Sequence, residues 1–286
     1  MKYEFIYEHH QEFGIERMCQ VFDVSQSGYY SWRNRPNSKR KLSNEELTSK
    51  IHMEFNKHKG RYGSPRITES LKKQGIQCSK NRVARIMRLE GLKAKQKRRF
   101  KKTTDSNHNL PVARNILDGN FYCTEINRVW VSDITYVWTL EGWLYVCAIL
   151  DLCSKQVIGW SISEYIDTQL VLDAFWRACE LKKPAPGVIF HSDKGVQYAS
   201  DGVRKALRAK KMKQSMSRKG NPYDNAVSES FFNTLKTEEV YQRTYVTKQQ
   251  ARTCIFEYIE LYYNRVRLHS SLGYLTPIEF AYGKAA

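Results

Sequence analysis

Between Arg128 and Ser163 three runs of β-branched and aromatic residues, RVWVSDITYV, GWLYVCAILDL and KQVIGWSIS, follow one another with breaks of only four and two residues. Residues of these types favour the pleated, half-buried surface of a sheet, and the breaks are too short to hold a helix. Three consecutive strands are therefore expected. Next comes an amphipathic helix, DTQLVLDAFWRACELK, then a strand, GVIFHSD, a helix, SDGVRKALRAKKM, a short strand, KQSMS, and a last helix, NAVSESFFNTLK. The order β-β-β-α-β-α-β-α makes this half an α/β domain with some antiparallel strands. Strand order within the sheet is not visible in periodicity.

Three carboxylates stand out against that frame. Asp133 interrupts the buried run VWVSDITYV, Asp193 ends the strand VIFHSD, and Glu229 lies in the first turn of the last helix. An acid inside a buried strand costs several kcal/mol unless it is paired or metal-bound, and the end of a strand in an α/β sheet is the usual place for a site. Two Mg²⁺ ions about 3.5–4 Å apart need anionic oxygens from several chain segments. The trio has the chemistry for that and for phosphoryl transfer. On the last helix Val227, Phe231 and Leu235 form an apolar stripe, while Glu229, Asn233 and Lys236 gather on the opposite side, so one face packs and the other presents a carboxylate and a cation. A solvated helix face would show the same polarity. The spacing suits a lysine that grips phosphate beside a metal.

The net charge of +18 is unevenly spread. Residues 1–105 carry 25 Lys and Arg against 11 Asp and Glu, whereas residues 106–286 carry 22 against 18. So basic a half points to nucleic acid, and no amphipathic helix combines a large aromatic face with the cations, which argues against a membrane surface. No run reaches the length of a membrane span, and the N-terminus lacks a signal-peptide core; a cytoplasmic, nucleoid-associated protein is expected. The seven cysteines are scattered without a CxxC pair, and no histidines stand with cysteines at zinc-finger spacing, so reduced thiols and no structural zinc are expected.

Within the basic half two helix-turn-helix patterns are legible. The first is IERMCQVF, a DVS turn and QSGYYSW; the second is PRITESLKKQG, the turn IQC and SKNRVARIMRLEG, with Ser79 as helix cap and Gly91 as stop. An ordinary αα-hairpin has the same spacing. Arg82, Arg85 and Arg88 recur every three residues on the second helix and make it the candidate for DNA contact. The stretch KAKQKRRFKKTT holds seven Lys and Arg between Lys93 and Lys102, among them Lys97, Arg98 and Arg99, and suits a linker along a phosphate backbone. With the basic, Pro-containing stretch RNRPNSKRK it divides the chain into a helix-turn-helix-like N-terminal segment (1–40), a second such DNA-binding domain with its linker (41–105), a catalytic core (120–240) and a C-terminal helical extension (241–286).

The strings VWVSDITYV, HSDKGVQY, SMSRKGNPYDNAVSESFFNTLK and YNRVRLHSSLGYLTPIEF resemble the B-frame transposase of the third bacterial insertion-sequence family, whose catalytic core is similar to retroviral integrase. The resemblance covers nearly the whole chain. It implies an RNase H-like core, a mixed sheet flanked by helices, preceded by an all-α helix-turn-helix region. Asp133, Asp193 and Glu229 would be the catalytic and metal-binding DDE triad, Lys236 the basic residue seven positions after the glutamate. It also implies two Mg²⁺ ions, with Mn²⁺ as substitute, and cleavage and strand transfer of double-stranded DNA, both element terminal repeats and target. One ion would be held by Asp133 and Asp193 and the other by Asp133 and Glu229; one would activate the nucleophile and the other stabilise the leaving oxygen, and the sequence leaves both assignments of these roles open. In this family the B frame is commonly fused to an A-frame segment with its own helix-turn-helix and leucine zipper. No such heptad run opens this chain, so it is expected either to be the catalytic part of a longer active protein that includes the A-frame segment or to work with a separate A-frame partner; a homo-oligomer on DNA is also expected. The segment SRKGNPYDN resembles a loop near substrate DNA, with Arg218, Lys219 and Tyr223 as contacts. Asp151 reads as a structural or capping acid and His191 as a packed histidine. Arg265, Arg267 and His269 have no role that follows from the sequence. Two other readings compete: an RNase H-like metal-dependent nuclease that does not join ends, and a DNA-binding regulator in which the core is scaffold.

Overall fold

A computed structural model describes residues 1–36, 38–95, 111–218 and 226–285. Its first helices are α1 (Lys2–Glu8), α2 (Ile15–Val21) and α3 (Gln26–Arg33), which close around Ile6, Met18, Cys19 and Tyr29. Ser25 caps α3, its Oγ accepting the Gly28 N–H at 3.0 Å. A second helical unit follows: α4 (Lys39–Lys57), α5 (Ser64–Lys73) and α6 (Lys80–Leu89) bury Leu47, Ile51, Tyr62, Ile67, Leu71, Val83, Ile86 and Met87. Ser79 caps α6 through the Arg82 N–H, and Gly91 past its end takes the left-handed backbone (φ 67°) that an L side chain resists. The basic stretch at 33–41 ends inside α4, so its last residues begin the second unit.

The α/β half contains β1 (Val129–Thr139), β2 (Gly142–Asp151), β3 (Val157–Ser163), α7 (Thr168–Lys182), β4 (Ile189–Ser192), α8 (Val196–Ala199), α9 (Asp201–Ala209), β5 (Lys213–Met216) and α10 (Ala226–Glu238). Among the described residues its sheet has five strands in the order β3-β2-β1-β4-β5. The first three form an antiparallel meander, and β4 and β5 run parallel to β1 after helical crossovers. Side chains alternate between the faces. Trp130, Cys147, Ile149 and Phe190 point to the side covered by α7 and α9, whereas Val129, Val131, Val146 and Ala148 point to the side on which Phe231, Phe232 and Leu235 of α10 are buried. Each of those three α10 side chains contributes about 1.5–3 kcal/mol by leaving water, which holds this helix against the sheet. On the other face Gly159 lets β3 approach α7 closely: a Cβ there would sit 2.3 Å from the Ala174 carbonyl oxygen.

The C-terminal segment is built into both units. After a 3₁₀ turn at Val240–Gln242, α11 (Lys248–Phe256) passes into π-helical turns at Glu257–Tyr263, and α12 (Pro277–Ala285) ends the described chain. Ala251, Ile255, Tyr258 and Ile259 join the sheet's core, while Leu268 joins that of α4–α6. Asn264 pairs with the backbone of Val157, accepting its N–H at 3.0 Å and donating to its carbonyl at 2.9 Å.

Candidate active site

The parallel ladder between β1 and β4 aligns Val129 with Ile189 and Val131 with His191. Two residues beyond the last pair on each strand come Asp133 and Asp193, where the ladder has ended. Both acids project to the α10 side of the sheet, because they share the parity of Val129, Val131 and Ile189, and both are half-buried. Local bonds hold them. Asp133 Oδ1 accepts the Ile134 N–H at 2.8 Å, and Asp193 Oδ1 accepts the Gly195 N–H at 2.9 Å. Below the pair, Ser132 Oγ and Tyr198 Oη lie 2.8 Å apart, so α8 is tied to β1 just after the turn that carries Asp193.

α10 brings opposite charges to this point. Burial, and next the charge of Asp193, push the Asp133 carboxyl well above the usual carboxylate range; Glu229 adds to the rise, while the Ile134 N–H and Lys236 oppose it. Lys236 lies with its Nζ 4.5 Å from the centre of the Tyr136 ring, a cation–π contact. Burial lowers its pKa, and Asp133 works against that. Among the described residues, three or more His, Cys, Asp or Glu side chains are nowhere gathered tightly enough to hold a metal ion. The structure thus sets Asp133, Asp193 and Glu229 within one another's field without gathering all three into one tight cluster. The donor set, carboxylate oxygens from two strands and a helix, is the kind that hard divalent cations take.

Other expected residues fall in varied surroundings. Asp151 is a structural acid: buried, it accepts the Asn127 N–H, the Ser154 N–H and the Ser154 hydroxyl at 2.8, 2.8 and 2.6 Å. His191 is fully buried, its Nδ1 2.9 Å from Ser215 Oγ. Arg85 and Arg88 are exposed on α6, but Arg82 turns onto α4, donating to Asn44 Oδ1 at 2.9 Å and Ser43 Oγ at 2.8 Å, so the three do not form one outward stripe. A spacing of three also drifts around a helix of 3.6 residues per turn. Arg218 pairs with Asp118 at 2.9 Å on the surface. Lys97, Arg98, Arg99, Lys219 and Tyr223 lie outside the described residues.

Sequence reasoning missed a buried ionic junction at the C-terminal end of α10. Arg267 grips Glu238 with Nε at 3.0–3.1 Å and a terminal nitrogen at 2.8 Å, and the Tyr258 hydroxyl donates to the same carboxylate at 2.8 Å. Arg61 donates to the Glu239 carboxylate and the Glu238 carbonyl, and its guanidinium covers the rings of Tyr258 and Tyr262. Tyr62 donates to the Val266 carbonyl and accepts from the Leu268 N–H. The helix carrying Glu229 and Lys236 is thereby fastened to the α4–α6 unit. The adjacent acids Glu238 and Glu239, just past the apolar stripe of that helix, were the available signal.

Comparison with known proteins agrees with this architecture. An "Integrase core domain" family matches residues 124–222, a second family of the same description matches 210–277, and an "HTH-like domain" matches 42–100. The transposase InsF for insertion sequence IS3A of Escherichia coli K12 is 41% identical over 282 residues, 98% of each chain. The 31 kDa protein of insertion element IS600 from Shigella sonnei is 43% identical over 263 residues, 92% of this chain and 97% of that one. Among solved structures, the catalytic core domain of BIV integrase is 17% identical with a TM-score of 0.42, covering 56% of this chain and 96% of that one. The HTLV-2 integrase catalytic core domain in complex with magnesium is 14% identical with a TM-score of 0.40, covering 56% and 98%. A 41% identity that spans 98% of both chains, over a helix-turn-helix-like unit and a mixed-sheet core, places this protein in the family of the IS3 insertion-sequence transposases.

Proposed function

We infer that the protein is a DNA transposase of the DDE type, which cuts DNA strands at the ends of an insertion sequence and joins the 3′-hydroxyl ends to target DNA. What supports this reading is that the paired strands β1 and β4 lead to Asp133 and Asp193, and that the charges of Asp193 and of Glu229 and Lys236 on α10 act on the Asp133 carboxyl. Asp133 and Asp193, with Glu229, would hold divalent metal, Mg²⁺ or Mn²⁺, in a pair of ions. Bound there, the metal supplies charge that favours a deprotonated attacking oxygen and offsets the charge growing on the leaving 3′-oxygen.

The chain's own residues do the positioning. The Gly195 N–H fixes one oxygen of Asp193, and the Ile134 N–H does the same for Asp133, so both carboxylates meet substrate with their orientation already set. Lys236, held over Tyr136 and drawn toward Asp133, offers its ammonium to a phosphate oxygen. Arg85 and Arg88, exposed on α6, and the basic residues 93–102 carry the chain along the DNA backbone. Arg218, Lys219 and Tyr223 contact the strand near the cut. An A-frame segment or protein and further copies of this chain would complete the complex on DNA, in the cytoplasm at the nucleoid.

The direct test incubates the chain with end DNA of its own element and Mg²⁺, with and without the A-frame segment. Joined products built from labelled 3′-hydroxyl ends are expected. Cleavage without joining would instead make it a nuclease, and a footprint without metal-dependent cleavage would make it a regulator.

A further inference from the structure

A cavity of about 330 Å³ opens on the side of α10 turned away from Glu229 and Lys236, lined on that helix by Val227, Ser230 and Thr234. Around it three separate parts of the chain deliver cations: Arg66 from α5, Lys155 from the turn between β2 and β3, and Arg267 from the segment before α12, next to His269 and Ser271. None of the described residues lining it is acidic. Glu238 stands behind Arg267 and is engaged by it, with Arg66 a looser 3.8 Å away. Asp151, near Lys155, is turned to Asn127 and Ser154. Arg66 and Lys155 each donate to a backbone carbonyl, of Leu268 and Leu152, and neither bond neutralises charge. Positive charge therefore exceeds negative charge in a partly enclosed space, an arrangement that costs folding energy unless an anion answers it.

The histidine fits the same picture. Burial, and next Arg267, Arg66 and Lys155, push the His269 pKa down to about 2, so its ring is neutral. Its Nε2 lies 3.2 Å from a terminal nitrogen of Arg267, which can only donate, so the ring proton sits on Nδ1. Two guanidinium groups, an ammonium and the hydroxyls of Ser230 and Ser271, set beside the apolar Phe121, Leu150 and Phe231, make a donor-rich wall suited to a tetrahedral oxyanion; the Thr234 hydroxyl is turned to the Ser230 carbonyl.

We propose that this cavity is a phosphate-binding site, occupied by a DNA backbone phosphate or by a free phosphate group. The basis is the convergence of Arg66, Lys155 and Arg267 with neutral His269 on a wall without acids. It gives the RVRLH segment a ligand-facing role and places that ligand on the opposite side of α10 from the acids. It does not depend on the DDE reading.

Two measurements on the full chain test it, using wild type, Lys155→Gln and Ser271→Glu; Ser271 is exposed, so its variant disturbs no core. In thermal melts, inorganic phosphate is compared with chloride at equal ionic strength; a rise in Tm of about 2–4 °C is expected for wild type, and its loss in both variants. In duplex DNA binding across a salt series, a DNA phosphate in the cavity predicts a log–log slope reduced by about one in each variant. A phosphate response lost in the variants with unchanged slopes identifies a free anion as the occupant; reduced slopes identify the DNA backbone. Variants that match wild type in both measurements overturn the proposal. Asp193→Asn should keep the phosphate response, so failure of the catalytic assignment and failure of this one are separable.

Discussion

Removing the Arg267 guanidinium by Arg267→Met should be among the most destabilising single changes outside the apolar core. Both partners of the Arg267–Glu238 pair are only 5% exposed, and the carboxylate's other close donor is the Tyr258 hydroxyl. Breaking a buried ion pair by deleting one partner costs about 3–5 kcal/mol, because the remaining charge is stranded. Tyr258 stays, and Arg66 lies 3.8 Å from the same carboxylate, so the lower end applies. At about 2–4 °C per kcal/mol for a chain somewhat smaller than this one, a loss of about 3 kcal/mol lowers Tm by roughly 6–12 °C. The informative companion is Arg267→Met with Glu238→Gln, which removes the stranded charge while keeping an acceptor for Tyr258. Denaturant and thermal unfolding of the two singles and the double give the coupling between the sites, and the double should recover at least half of the loss. A single variant costing less than about 1 kcal/mol, or a double no better than Arg267→Met alone, would refute the reasoning that a stranded carboxylate sets the penalty.

Tyr62→Phe leaves the Val266 carbonyl and the Leu268 N–H without their partner and should cost about 1–3 kcal/mol in chemical denaturation. Gly159→Ala forces a Cβ against the Ala174 carbonyl oxygen and should cost at least about 1–3 kcal/mol, visible as a lowered Tm with unchanged helix content. In metal-free buffer Asp133→Asn should be more stable than wild type at pH 7. The Asp133 carboxyl titrates well above its unfolded value of about 3.9, so ionising it penalises the fold progressively as pH rises from about 4 toward the folded pKa. The difference in Tm should therefore shrink to nothing by about pH 4, and a gap that persists there contradicts it. Added Mg²⁺ should raise the Tm of wild type and leave that of Asp133→Asn nearly unmoved.

What could be seen in the chain beforehand depended on whether the signal was local. The runs that became β1, β2 and β3 and the stripe of Val227, Phe231 and Leu235 repeat at strand or helix period, so neighbouring residues suffice to reveal them. The Ser79 cap and the Gly91 stop are likewise local chemistry. Meeting of Asp133 with Asp193 was not legible from spacing, since it follows from parallel pairing of β1 with β4 across a crossover, a contact between residues 60 positions apart. Likeness to a known family supplied that convergence in advance. The C-terminal segment looked like an extension because its apolar residues serve two cores at once: Ile255 and Ile259 pack on the sheet, and Leu268 on α4–α6. Arg82 shows the opposite difficulty, where a cation that looks available for DNA is taken up by Asn44 and Ser43 of a neighbouring helix.

The proposed function requires Asp133 and Asp193 to act as one metal-dependent site for breaking and joining DNA. Asp193→Asn, assayed on end DNA of the element with Mg²⁺, bears on it most directly. Loss of both nicking and strand joining is expected, with duplex affinity close to that of wild type; joining that survives the substitution would contradict the proposed role of the two acids.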